Sequence, residues 1–209
     1  MTELPVSKPE RVSIEEYYAR EANSDAKHEF HDGEVIAMAG GTVSSSQICV
    51  NLTRRLAERL DGKPCQPLES NVRVHIQARN RDVYPDAMVV CGPVEYHAKD
   101  KSRGTILNPR VVFEVLSPST EIYDRTRKRE YYFSVPSMDT YVLLEQDRPV
   151  VDVLTRQPDG QWVITFFHGL EAVVKLTTLG IELPMRQLYD RVEFPPEPPS
   201  PDERERVQT

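Results

Sequence analysis

The sequence predicts an α/β fold of the α+β type, with a mixed central β-sheet flanked by helices. One segment repeats apolar residues at helical spacing, and turn or helix-start signals precede three other segments. Several further runs either alternate apolar and polar residues or are continuously apolar, as strands are. The predicted order is helix, strands, helix, strands. Because this order lacks regular strand–helix alternation, we expect a sandwich around one mixed sheet and not a doubly wound fold.

Two helices and a hairpin are predicted in the N-terminal part. Residues 13–21 begin with a serine that is followed three positions later by a glutamate, a capping-box pattern. The stretch HEFHDGEVIAM alternates apolar and polar residues about Asp32-Gly33, which indicates a tight hairpin turn. An amphipathic helix over roughly 45–61 is then predicted by apolar residues four positions apart, namely Ile48, Leu52, Leu56 and Leu60.

The rest of the chain is predicted to contain mainly strands. A charge-rich helix follows a Ser-Pro-Ser-Thr turn, and a short helix follows Leu183-Pro184. The predicted strands cover about 64–76, 83–91, 110–117, 139–145, 149–155 and 161–168, and the two helices cover 121–134 and 185–190.

We expect a single domain over residues 12–192. Residues 1–11 are predicted to be a flexible N-terminus. Residues 195–201 read PPEPPSP and a charged end follows, so 193–209 is predicted to be a disordered, Pro-rich tail that cannot bury a core.

Composition and charge narrow the class of protein. A net charge of −7 argues against an extended, non-specific nucleic-acid binder, although two basic clusters, 54–63 and 125–129, leave room for a local basic cleft. No apolar run approaches the roughly 18 residues that a membrane span needs. The three cysteines are widely spaced and the N-terminus has no secretory pattern, so free thiols and a cytoplasmic location are predicted.

Two carboxylates interrupt apolar strands. Glu114 lies within VVFEVL and Asp86 opens the run DAMVVC. A buried, ionised carboxylate costs several kcal/mol or more unless it is paired or binds a metal. If the two strands are neighbours, both acids converge at one end of the sheet and need a cation. Oxygen ligands suit Mg²⁺ or Mn²⁺, and the sequence offers no thiol-rich or imidazole-rich cage for zinc.

The helix after Glu114 carries a regular triplet. Asp124, Lys128 and Tyr132 stand four residues apart and therefore lie on one helix face. Asp124 and Lys128 can be an exposed ion pair contributing about 0.3–0.5 kcal/mol. Alternatively, Lys128 reaches the acid pair, orients a water molecule and stabilises developing charge on a phosphorane.

These residues together resemble a known family. PD at 85–86, ExL within 114–120 and the DxxxKxxxY spacing at 124–132 resemble the PD-(D/E)xK nuclease superfamily. The chain looks closest to the Uma-two branch of small restriction-endonuclease-like proteins, and the similarity covers about residues 12–190. Three further stretches match that branch: DGEVIAMAG at 32–40, VPSMDTYVLLEQ at 135–146 and LYDRV at 188–192.

The resemblance implies a restriction-endonuclease-like core with a metal-dependent phosphodiesterase centre. Asp86 and Glu114 would hold the divalent metal. The usual ExK lysine position is Leu116, and Lys128 on the following helix would replace that lysine. Glu34, after the Asp-Gly turn, would be an additional acid near the metal. DNA is the implied partner, and a homodimer would allow both strands to be cut.

Gln47 departs from the pattern of the Uma-two branch, and functions other than DNA cleavage therefore have to be considered. The branch often has a histidine where this chain has Gln47, and a glutamine amide cannot titrate near neutrality. The leading hypothesis is an Mg²⁺-dependent DNA endonuclease. The alternative is a catalytically weak or inactive nuclease fold that binds DNA or a protein partner. A third hypothesis, a glycoside hydrolase built on the acid pair, gives Lys128 no role.

Overall fold

A computed structural model describes residues 11–38 and 40–196. The segments predicted to be flexible or disordered, 1–11 and 193–209, lie outside the described residues except for 11 and 193–196. The helices are α1 (Ile14–Glu21), α2 (Val43–Leu60), α3 (Glu121–Tyr123), α4 (Arg129–Phe133) and α5 (Met185–Leu188), with a 3-10 turn at Gln77–Arg79 and a π-helical turn at Asp124–Lys128. The strands are β1 (His28–His31), β2 (Glu34–Ala37), β3 (Cys65–Glu69), β4 (Arg73–Ile76), β5 (Arg81–Val83), β6 (Ala87–Cys91), β7 (Thr105–Ile106), β8 (Val111–Leu116), β9 (Thr140–Glu145), β10 (Val150–Arg156), β11 (Trp162–His168), β12 (Val173–Leu176) and β13 (Ile181–Pro184).

A six-stranded mixed sheet forms the centre of the molecule, in the order β11-β10-β9-β8-β6-β3. Its β8 and β9 run parallel and its other neighbours run antiparallel. A second sheet has the order β2-β1-β5-β4-β7, and β12 pairs with β13 as a separate hairpin. The fold is therefore the predicted α+β class with a mixed central sheet flanked by helices.

The central sheet separates two apolar cores because side chains alternate across each strand. On β8, Val111, Phe113 and Val115 pack in one core with α2, α5 and the β12–β13 hairpin. Val112 and Leu116 point to the other face, where they pack in a core shared with α4 and the second sheet. Glu114 occupies the position between them on this second face.

The helices and the first hairpin follow their sequence signals. The Thr42 side chain accepts a hydrogen bond from the Ser45 backbone N–H and caps α2, whose four-residue apolar repeat is fully buried against the sheet. Asp32 and Gly33 have φ values of 49° and 98°, the left-handed pair that a two-residue hairpin turn requires.

Two predicted strands are each divided between the two larger sheets. The segment 64–76 turns at Ser70 and becomes β3 and β4, while 83–91 is interrupted before β6 and becomes β5 and β6. Pro85 lies at the second interruption, where its missing N–H cannot continue a ladder. The β12–β13 hairpin was not predicted, because strands of four residues carry little periodic signal.

The prediction of three free thiols is wrong for two of them. Cys65 and Cys91 form a disulfide, and Cys49 on α2 is free and half-buried. The two bonded residues are direct cross-strand partners on β3 and β6. Their separation of 26 positions does not reveal this register in the sequence. Within residues 11–38 and 40–196, no helix is long and apolar enough to cross a bilayer.

A buried ion pair attaches the long loop before β7 to the second sheet. Arg73 Nη2 donates to Asp100 Oδ2 at 2.9 Å, and Arg73 Nε donates to Thr105 Oγ1 at 2.9 Å. The guanidinium also lies over the rings of Tyr17 and Tyr18. Asp100 and Arg73 are almost fully buried, so each charge depends on the other.

Asp100→Asn should lower the free energy of unfolding by about 3–5 kcal/mol, because it leaves the Arg73 guanidinium buried without its counter-charge. Urea unfolding at neutral pH measures this change. Glu171→Gln, which removes an exposed ion pair with Arg186, is the matched control and should not move the midpoint. A loss below about 1 kcal/mol for Asp100→Asn would contradict the assigned role.

Candidate active site

Asp86 and Glu114 meet at one end of the central sheet. Ala87 pairs with Phe113 in the antiparallel β6–β8 register, so Asp86, one position further, stands opposite Glu114. Asp86 Oδ2 accepts a hydrogen bond of 2.7 Å from the backbone N–H of Val115. The two acids that interrupt apolar strands in the sequence are thus brought together.

Lys128 lies inside this acidic cluster. Its Nζ is 2.8 Å from Glu114 Oε1, 3.7 Å from Asp124 Oδ1 and 3.8 Å from Glu29 Oε1. The Tyr132 hydroxyl donates to Glu114 Oε1 at 3.0 Å. The Lys128 and Glu114 side chains are only 6% and 4% exposed. The Asp124–Lys128 pair is therefore buried, and the interpretation as an exposed helix pair does not apply.

A π-helical turn presents the lysine to the sheet. The turn spans Asp124–Lys128, between α3 and α4, and such turns occur frequently at functional sites. Asp124, Lys128 and Tyr132 are all buried, whereas Ile122 is 80% exposed. The Tyr141 hydroxyl donates to the Asp124 carbonyl at 3.2 Å, which supplies a partner for a backbone group in the irregular turn. The predicted triplet therefore shares one buried face.

Carboxyl groups outnumber cationic groups in the cluster. Burial raises the pKa of Glu114 well above its ordinary value, although the nearby Lys128 opposes this change. Burial likewise raises the pKa values of Asp86 and Asp124. Burial also raises the pKa of Glu29, but Lys128 and His31 outweigh it, so that this pKa is lowered overall.

Burial and the neighbouring charges affect the pKa of Lys128 in opposite directions. Burial lowers the pKa of Lys128, but Glu114, Glu29 and Asp124 together outweigh burial and raise it well above its ordinary value. Lys128 is consequently charged throughout the physiological pH range. One permanent cation faces four carboxyl groups, and it does not neutralise all of them.

Glu29, and not Glu34, is the N-terminal acid in the cluster. Glu29 is buried on β1, and its second oxygen lies 2.9 Å from Nε2 of His31. Glu34 lies exposed on β2, opposite His31 across the hairpin, and is not among the acids around Lys128. The sequence signal for Glu29 is its position next to the core residue Phe30, but only the tertiary structure makes β1 an inner strand.

The start of α2 borders the cluster. Burial and the charges of Asp86 and Glu114 raise the pKa of Cys49 to about 12, so the acids lie close to this part of the helix and the thiol stays neutral. Gln47 is half-buried two residues earlier. Within the described residues its side chain makes no hydrogen bond to the protein, which leaves the amide available for a water molecule or a phosphate oxygen.

The donor set fits a hard divalent cation. Asp86 and Glu114 offer carboxylate oxygens, and Mg²⁺ typically takes one or two carboxylates together with waters and substrate phosphates. In the part of the chain that the structure describes, no three His, Cys, Asp or Glu side chains form a ready-made metal cage. A two-carboxylate site does not need such a cage, and a second cation beside Lys128 would favour the ionised form of the remaining carboxyl groups.

Sequence comparisons identify relatives over most of the chain. The Uma2 family model, described as "Putative restriction endonuclease", matches residues 14–186. The uncharacterized protein slr1290 of Synechocystis sp. is 32% identical over 184 residues, covering 88% of this chain and 94% of that protein. The uncharacterized protein sll1609 of the same organism is 28% identical over 170 residues, covering 81% and 95%.

A solved structure has the same fold. The crystal structure of a "putative nuclease belonging to DUF820" from Anabaena variabilis superposes with a TM-score of 0.68. The match covers 86% of this chain and 98% of the other, at 14% sequence identity. This similarity establishes the restriction-endonuclease-like fold.

Lys128→Met should make the free energy of unfolding depend strongly on pH. Without the ammonium, burial holds the pKa values of Glu114, Glu29 and Asp124 above those of the unfolded chain. Stability is then fully present below about pH 4 and is lost as pH rises through the folded-state pKa values. We expect a loss of about 3–5 kcal/mol relative to the unsubstituted protein at pH 8 and a much smaller loss at pH 5.

Urea unfolding at the two pH values measures this difference. Lys99→Met is the matched control, because it removes a lysine whose ion pair with Glu15 is exposed. For Lys99→Met, the change in the free energy of unfolding relative to the unsubstituted protein should be small and equal at the two pH values. An equal loss for Lys128→Met at both pH values would mean that the lysine does not neutralise the acids.

Proposed function

The chain belongs to the Uma2 family of restriction-endonuclease-like proteins, and on this premise we propose that it hydrolyses phosphodiester bonds in DNA with Mg²⁺ or Mn²⁺ as cofactor. The observation that supports the proposal is the position of Lys128 among an excess of buried carboxyl groups at one end of the central sheet. A charged lysine beside two potential metal ligands is the arrangement that stabilises a negatively charged, phosphorane-like transition state.

In this proposal Asp86 and Glu114 hold the metal ion. When bound, the ion would polarise the phosphate and lower the pKa of a water molecule. Lys128 fixes the orientation of Glu114 and offsets negative charge that develops on the phosphoryl oxygens. The Tyr132 hydroxyl donates to the same Glu114 oxygen, Oε1, that Lys128 contacts, and Glu29 lies 3.8 Å from the Lys128 ammonium.

Gln47 has a restricted role in the proposed reaction. Its amide can orient a water molecule or a phosphate oxygen, but it cannot accept a proton near neutral pH. Proton removal from the attacking water therefore depends on the carboxylates.

The homodimer implied by the resemblance stays a prediction, which sedimentation velocity of the purified protein can decide.

A DNA-cleavage assay tests the proposal. Purified protein should convert supercoiled plasmid to nicked or linear forms with Mg²⁺ or Mn²⁺, and chelation with EDTA should stop the reaction. Glu114→Ala and Asp86→Ala should each reduce the rate by more than about tenfold, because either change removes a proposed metal ligand. Glu182→Ala, at an exposed acid on β13, is the matched control.

A rate loss below about tenfold for Glu114→Ala would refute the proposed mechanism. Glu29→Ala and Glu34→Ala, compared in the same assay, decide which N-terminal acid takes part. We expect the larger loss for Glu29→Ala, because Glu29 approaches Lys128 and Glu34 does not.

A module that binds DNA or a protein partner without cleaving is the second candidate function. One observation favours it: Lys128 already pairs with Glu114 at 2.8 Å, so the acid has a cation without any metal. The absence of a titratable group at Gln47 points in the same direction. This candidate requires weak or absent metal binding.

Calorimetric titration with Mn²⁺ distinguishes the two functions. Burial raises the pKa values of Asp86 and Glu114, so protons compete with the metal and affinity for Mn²⁺ should increase from pH 6 to pH 8. The binding isotherm should disappear in Asp86→Ala. No Mn²⁺ binding at pH 8, together with retained DNA binding, would favour the non-cleaving module.

A further inference from the structure

Lys27 is a second lysine near the acidic end of the central sheet. It directly precedes β1, and its Nζ donates to the Ser70 carbonyl at 2.8 Å and to Ser70 Oγ at 3.2 Å. The ammonium also lies 5.4 Å from the ring centroid of Tyr84, two positions before Asp86 in the chain. The half-buried Lys27 side chain is thus held over the turn between β3 and β4.

The strand register places this turn beside the acid pair. Glu69 pairs with Ala87 on β3 and β6, so Ser70, one position further, stands opposite Asp86. Asp86 in turn stands opposite Glu114 on β8. Ser70, Asp86 and Glu114 therefore form a row across three adjacent strands, which are about 4.8 Å apart. Lys27 is bound at the outer end of this row.

The two lysines differ in their counter-charges. Lys128 is enclosed by Glu114, Asp124 and Glu29 and is only 6% exposed. Within residues 11–38 and 40–196, Lys27 forms no ion pair with any carboxylate. An ammonium has three N–H donors, and Ser70 accepts two of them, so one donor is available to an external anion.

We propose that Lys27 binds a backbone phosphate of the nucleic acid next to the phosphodiester that is cleaved. This inference rests on the proposed function. The ExK position is Leu116 and Lys128 is paired with carboxylates at the reacting phosphodiester, so a positive charge for the adjacent phosphate comes from the segment before β1.

If Lys27 has only a structural role, connecting β1 to the β3–β4 turn, a different result is expected. Its removal would then lower thermal stability but would not change the number of phosphates that the protein neutralises. That number is measured by the salt dependence of DNA binding, because each neutralised phosphate releases condensed counter-ions. The salt slope therefore separates a phosphate contact from a structural contact.

The experiment is fluorescence anisotropy with a labelled DNA duplex in EDTA, over a series of KCl concentrations. Lys27→Met should weaken binding severalfold and reduce the slope of log K against log [KCl] by about one unit. Lys27→Arg keeps the charge and should retain the slope. Lys175→Met is the matched control, because Lys175 is exposed on β12, in the hairpin that packs on the opposite face of the central sheet from Glu114.

An unchanged slope in folded Lys27→Met protein, with or without a lower melting temperature, would overturn the inference. Should Lys27→Met fail to fold, Lys27→Gln at the same position provides the second measurement, with the same expected slope. If the unsubstituted protein cleaves DNA and the slope is unchanged in the variant, only the role of Lys27 fails. If the unsubstituted protein neither binds nor cleaves DNA, both proposals fail.

Discussion

The buried ion pair between Glu114 and Lys128 is the contact on which the rest of the site depends. Removing two charges from water costs several kcal/mol for each, and attraction at 2.8 Å offsets this cost only if further partners satisfy both groups. Tyr132 supplies one such partner, and Asp124 and Glu29 supply others. Because these partners come from α4, the π-helical turn and β1, the ion pair determines how three elements meet β8.

The same cluster carries an electrostatic penalty that packing alone would not produce. Burial raises the pKa values of three of the four carboxyl groups, so their ionisation works against the folded state near neutral pH. Elsewhere in the protein a buried charge is matched, as Arg73 is by Asp100. Unmatched buried acids are typical of sites where a ligand or cation completes the charge balance.

The sequence predicts the parts of the molecule that carry a local signal. The repeat from Ile48 to Leu60, the Asp32-Gly33 turn and the interruption at Glu114 all have local physical causes, and the structure has α2, the first hairpin and a fully buried β8 there. The choice between Glu29 and Glu34 depends on which strand of the hairpin is an inner strand. The Cys65–Cys91 bond and the row containing Ser70 depend on register, which no local pattern specifies.

Because position 116 is a leucine, the positive charge that an ExK lysine would supply comes in this protein from two other lysines, Lys128 and Lys27. Leu116 lies on the same face as Glu114, but its side chain is buried among Tyr132, Met138 and other apolar residues of the second core. The Leu116 side chain therefore contributes to the apolar core, whereas the π-helical turn brings Lys128 directly to Glu114. Lys128, 6% exposed and paired with Glu114, is placed to act on charge that develops at the acid pair. A neighbouring backbone phosphate is instead reached from the open end of the strand row, where Lys27 is bound.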